Sequence, residues 1–160
     1  MRVIRELEIN GTIEVFESLS EDEMSAMVEQ FSMEQDGLVN YIMSDKVAPL
    51  SQDERQVLLY LSLVIWKVSD EGFVSAPNIP LDILSDKEEA NWNKLSTQPD
   101  SMPFLEKISV LYLDYDQEDL LAFVEDSIAE TEGVFAKEAR EPMFVMMKSV
   151  VDSFSELVEA

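Results

Sequence analysis

From Ser20 onward the apolar positions recur at helical spacing. Met24, Met27, Val28 and Phe31 stand at i, i+3, i+4 and i+7, and Leu38, Tyr41 and Ile42 continue the stripe past Gly37. Ser20 and Glu23 form a Ser-x-x-Glu capping box at its start. The pattern predicts one helix to about Ser44, bent at the glycine. A second box, Ser51 with Glu54, opens a helix that is apolar nearly all round from Val57 to Val68. A helix with no polar face belongs in the middle of a domain, so residues 52–69 are expected at the centre.

The third helix is predicted to start from a Ser85/Glu88 box and to run to about Leu95. Phe104, Leu105, Ile108, Leu111 and Tyr112 mark a fourth. Asp116 is the expected cap of a helix bearing Leu120, Leu121, Val124 and Ile128, with Gly133 as its C′ residue. The last helix carries Met143, Met146, Met147, Val150, Phe154 and Leu157, with Pro142 in its first turn, where a missing N–H costs nothing. Residues 134–141 read as a short helix before it. Starts at Ser20, Ser51, Ser85 and Asp116 are evenly spaced, as in helical repeats, but the content between them does not recur.

The opening segment differs. Val3 to Ile9 and Thr12 to Phe16 are rich in β-branched residues and flank Asn10-Gly11, a pair suited to a type I′ turn. A short hairpin over residues 3–16 is expected. The fold class is therefore all-α, six or seven helices packed around helix 52–69, with an N-terminal hairpin that could move the classification to α+β. One domain is expected over residues 1–160, divided into a hairpin or extended segment 1–19 and a helical body 20–160. A chain of this size buries about 68–70 % of its unfolded surface and needs no metal or disulfide to fold.

Charge narrows the partners. Against 34 acidic residues stand 11 basic ones, a net charge of −23. The excess is global: residues 1–80 carry 15 acids and 5 bases, residues 81–160 carry 19 and 6. Such a surface repels nucleic-acid backbones and anionic lipids and tolerates a basic protein. It also serves solubility alone. The longest apolar stretch, Val57 to Trp66, is interrupted by Tyr60 and Ser62 and falls short of the roughly 20 residues of a membrane span. With no apolar run behind Met1-Arg2-Val3 and no cysteine, a soluble cytoplasmic protein without a signal peptide is expected.

The chain has no histidine and no cysteine, which removes Ser-His-Asp triads, thiol nucleophiles, zinc-thiolate sites and Glu-x-x-His di-iron centres. The four glycines are isolated, so no phosphate-cradling loop exists. The run Asp114 to Asp119 begins like a calcium loop, but Asp119 stands where glycine is needed, and apolar helical residues precede Glu125. Its plainer reading is a helix N-terminus. Lys67, beside Trp66, is the best nucleophile candidate and equally a lysine reaching for solvent. The methionines Met24, Met27, Met33, Met143, Met146 and Met147 suit either a core or an adaptable binding groove. Trp92, among charged residues, is either an interface aromatic or an ordinary exposed one.

No catalytic, cofactor-binding or metal-ligating residue is assigned, and no cofactor. The reading is a non-enzymatic binding module (adaptor, inhibitor or immunity-type) for a basic partner. The alternatives are a structural self-associating protein using the hairpin edge and the C-terminal stripe, or a weak divalent-cation binder.

Overall fold

The computed structural model describes residues 1–44, 50–70, 76–130 and 137–158. The regular secondary structure of these residues is helical, with no strand among them. The α-helices are α1 (Glu6–Ser18), α2 (Glu21–Glu34), α3 (Asp36–Met43), α4 (Gln52–Asp70), α5 (Leu81–Leu95), α6 (Phe104–Lys107), α7 (Glu118–Ala129) and α8 (Arg140–Leu157). Short 3-10 turns cover Ile108–Tyr112 and Lys137–Ala139. Eight α-helices therefore stand among the described residues where six or seven were expected, because the N-terminal segment is helical and the helix expected over 20–44 is divided at Gln35.

The first correction is the N-terminus. The hairpin over 3–16 is absent, and α1 runs straight through Asn10-Gly11. Ile9, Thr12 and Phe16 all turn inward at i, i+3 and i+7, and Ile4 is buried ahead of them. Burying three large apolar side chains, at about 1.5–3 kcal/mol each, outweighs the roughly 1 kcal/mol that a helical glycine costs. Gly11 faces open space, so nothing there requires a turn. The helix start is tied down as well: the Arg5 N–H donates to Glu8 Oε2 at 3.0 Å, and the Glu6 N–H to Asp119 Oδ2 at 3.0 Å.

The second correction is at the end of α2. The break comes at Gln35, not Gly37. Gln35 is fully buried. Its side-chain amide donates to Pro77 O at 2.8 Å, and its Oε1 accepts the Ile79 N–H at 3.1 Å. The glutamine thus serves the backbone of an irregular segment, 76–80, that has no helix or ladder of its own. Gly37 lets that segment approach: a Cβ there would lie 2.5 Å from Ile79 O.

The third correction is α5, which starts after Pro80 instead of at Ser85. Glu88 is consequently mid-helix, where it accepts a hydrogen bond from Tyr41 Oη at 2.8 Å in place of closing a capping box. The expected even spacing of helix starts disappears with it. The boxes at Ser20/Glu23 and Ser51/Glu54 are both formed, each with its two reciprocal bonds. Gln117, not Asp116, precedes α7. Lys137–Ala139 is a 3-10 turn leading into α8, and Pro142 lies in the first turn of that helix. Gly133 and part of the 134–141 segment lie outside the described residues.

Helices α4 and α8 are both buried over most of their length. α8 packs on α4, α5 and α7. Met143, Met146 and Met147 lie in this core, and Met24 and Met27 pack against it, so these methionines fill space. Met33 is exposed. The C-terminal stripe of α8 is likewise interior, so neither it nor the missing hairpin edge offers the self-association surface expected from sequence. No helix among the described residues is long and apolar enough to cross a membrane.

Candidate functional site

Two concave regions lie on different sides of the charge balance. The first is a groove of about 410 Å³ between α1 and α7, with Tyr60 of α4 at its base. The same face of α1 that buries Ile9 supplies Ile13 one turn further on, and α7 supplies Ala122 and Phe123. Tyr60 is held edge-on to the buried Phe16, ring centroids 6.3 Å apart. Burial, and then the charge of Glu17, push the Tyr60 hydroxyl above its ordinary value, so it stays a neutral donor. Around this apolar base stand Glu6, Asp119, Asp126 and Glu130, and no basic residue among the described residues lines the groove. None of the four carboxylates makes an ion pair among the described residues.

The relative position of α1 and α7 is set by buried polar bonds. Gln117 Oε1 accepts the Ile4 N–H at 3.0 Å, and Gln117 Nε2 donates to Arg2 O at 2.7 Å. Asp119 caps the start of α1. The acidic run 114–119 is therefore shared out: Asp119 and Gln117 hold the N-terminal segment, while Asp114, Asp116 and Glu118 are exposed. No group of three or more Asp or Glu side chains among the described residues is placed to hold a metal ion.

The second region is a cleft of about 520 Å³ bounded by α5, α8 and residues 111–115. Its base is a buried ionic network. Lys148 is 2 % exposed. Its ammonium donates to Asn91 Oδ1 at 2.8 Å and to both oxygens of Asp152, at 2.9 and 3.2 Å. Asp152 also accepts from Tyr115 Oη at 2.6 Å and from Asn91 Nδ2 at 2.9 Å. The Lys148 Nζ lies 4.3 Å from the centre of the Tyr115 ring, a cation–π contact. Asn91 completes the network through Ser149 Oγ at 3.1 Å.

Burial drives Lys148 below the usual lysine value, and the Asp152 carboxylate opposes that fall. Burial, reinforced by the charge of Asp152, holds the Tyr115 hydroxyl well above the ordinary tyrosine value. Every acceptor site of Asp152 is occupied and Lys148 is saturated with oxygen partners, so the group is a rigid clamp joining α5, α8 and the 111–115 turn. At the mouth of the cleft, Lys87 pairs with Glu156. Lys94 is exposed and makes no ion pair among the described residues.

Of the side chains singled out from sequence, Asp119 lines the groove and Asp114 the cleft, whereas Lys67 and Trp92 line neither. Lys67 is half-buried, its ammonium 5.9 Å from the centre of the Trp66 ring. Trp92 is partly buried against the core. Sequence reading passed over Lys148, Asn91, Tyr115 and Asp152. One signal was available: Lys148 is the one charge inside the apolar run Met143 to Val151, and an acid follows it at i+4.

No protein family, curated protein or solved structure matches this chain.

Proposed function

We propose that this chain is a non-enzymatic binding module, of the adaptor or inhibitor kind, for a basic protein partner, and that the groove between α1 and α7 receives an amphipathic segment of it. The observation that carries this reading is the pairing of an apolar base with four carboxylates that have no cation beside them among the described residues. Apolar side chains of the partner occupy the space over Ile13, Tyr60 and Phe123. Its lysines or arginines meet Asp119, Asp126 and Glu130, which recur along one side of α7. The net charge of −23 steers such a partner toward the molecule before contact.

The test is fluorescence anisotropy with a labelled lysine- and leucine-rich amphipathic helical peptide. Saturable binding is expected, weakened at least tenfold by the double reversal Asp126→Lys, Glu130→Lys and weakened progressively as salt rises from about 50 to 200 mM. Affinity that ignores both the reversal and the salt rejects the groove as the site. Capture from an extract, eluted by a salt step, then names the natural partner.

A further inference from the structure

We propose that the cleft between α5, α8 and residues 111–115 binds a small zwitterion with an apolar body. Lys94 holds its carboxylate, Asp114 its ammonium, and Leu113 its apolar part. The inference is independent of the groove on α1 and α7.

The cleft is charge-balanced in a molecule that is not. Lys87, Lys94 and Lys148 line it with Asp114, Asp152 and Glu156, in a chain whose net charge is −23. Four of these six cancel internally: Lys148 with Asp152, and Lys87 with Glu156. The remaining two, Lys94 and Asp114, are of opposite sign, and neither makes an ion pair or side-chain hydrogen bond among the described residues. A free cation and a free anion on one concavity complement a ligand carrying one charge of each sign.

The long-range field selects the same ligand. A simple carboxylate must approach against the repulsion of the whole molecule, and a simple cation is drawn to any of the acidic surfaces. A zwitterion has no net charge and gains only where both of its ends are met.

The walls supply the apolar contact. Leu113 is 73 % exposed, while Leu111 beside it is 2 % exposed. Leu111 is already covered by the core, so a ligand body lying over Leu113 covers the leucine that the described residues leave largely exposed. Asp114 follows directly and has φ 53°, the one left-handed non-glycine residue among the described residues. Aspartate tolerates that conformation at a modest cost, and such backbone strain recurs at binding sites. Below the mouth, the Lys148 network fixes α5 against α8, so Lys94 projects from a rigid base. The volume, about 520 Å³, falls in the range of small-molecule sites.

L-leucine is the first probe, titrated into the intact chain and followed by amide NMR. Isocaproate, which lacks the ammonium, and isoamylamine, which lacks the carboxylate, are titrated in parallel. Saturable shifts confined to residues 90–94 and 111–115 are expected with leucine, and binding at least tenfold weaker with either truncated analogue. Lys94→Ala and Asp114→Asn each weaken leucine binding about tenfold, the loss of one charge-assisted contact. Asparagine keeps the left-handed backbone, so the second variant reads charge and not folding. Glu130→Gln in the other groove leaves leucine binding unchanged. Absence of saturable shifts with leucine overturns the proposal. Isocaproate binding as well as leucine makes the cleft an anion site and also overturns it, as does equal binding of isoamylamine.

Discussion

The groove on α1 and α7 and the cleft on α5 and α8 are built from the same residue classes in opposite ways. In the groove Glu6, Asp126 and Glu130 are exposed to solvent, Asp119 caps α1, and no cation among the described residues pairs with any of the four. In the cleft most charges are consumed against one another, and the deepest pair, Lys148 with Asp152, is closed off by Asn91 and Tyr115. Charge left in water contributes little to stability and acts at a distance. Charge taken into the interior is costly to break and organises what surrounds it. The first arrangement suits recruitment of a partner, the second the holding of a shape.

That contrast is broken most forcefully by removing one member of the buried pair. Lys148→Met leaves Asp152 without its cation, and Asp152→Ala leaves a buried ammonium. Each is expected to cost about 3–5 kcal/mol in urea unfolding, whereas the double variant with apolar residues at both positions costs less than the sum. A single variant within 1 kcal/mol of the parent would mean that the network is dispensable.

Alkaline titration separates the regions by a smaller amount. Tyr41 and Tyr115 are held neutral by burial and neighbouring carboxylates, Glu88 and Asp152 respectively, well above the ordinary value of 10.0. Above that pH the unfolded chain loses two protons that the folded chain keeps, so stability falls by roughly 3 kcal/mol per pH unit from this pair. Lys148 has the opposite sign. Its folded value lies below 10.5, so the unfolded chain holds the extra proton in that interval, and stability rises slightly as pH approaches 10.5. Tyrosinate absorbance appearing only together with the loss of helical signal is the expected result. Tyr60, in the open groove, is the expected exception, ionising closest to the folded baseline.

In the groove the prediction is reversed: large effects on binding and small ones on stability. Asp126→Lys with Glu130→Lys is expected to change unfolding free energy by no more than about 0.5 kcal/mol per site while reducing peptide affinity at least tenfold. The smallest effect sharpens the account of α1. Gly11→Ala meets no atom within 4 Å and replaces the poorest helix former but proline with the best, so it stabilises by roughly 0.5–1 kcal/mol, read as a raised Tm. A hairpin would instead lose its turn residue and be destabilised, which makes this substitution a direct check on the N-terminal helix.

Much of the helical body was readable in advance. The boxes at Ser20/Glu23 and Ser51/Glu54, the apolar wall of α4 and the stripes of α7 and α8 follow from local rules, because capping bonds and helical periodicity involve neighbours a few residues apart. The global charge, the missing histidine and cysteine and the chemistry they remove are properties of composition. Tertiary contacts decided the rest. Val3 to Phe16 has strand-like residues around a turn pair, and only the presence of α4 and α7 makes the helical placement of Ile9 and Phe16 the better burial. Gln35 ends α2 because a segment more than forty residues later needs its amide. Likewise Lys148 finds Asn91 and Tyr115, 57 and 33 positions away, only after α5, α8 and the 111–115 turn have packed. Long-range burial and the pairing of buried polar groups are properties of the assembled core, and no window of sequence contains them.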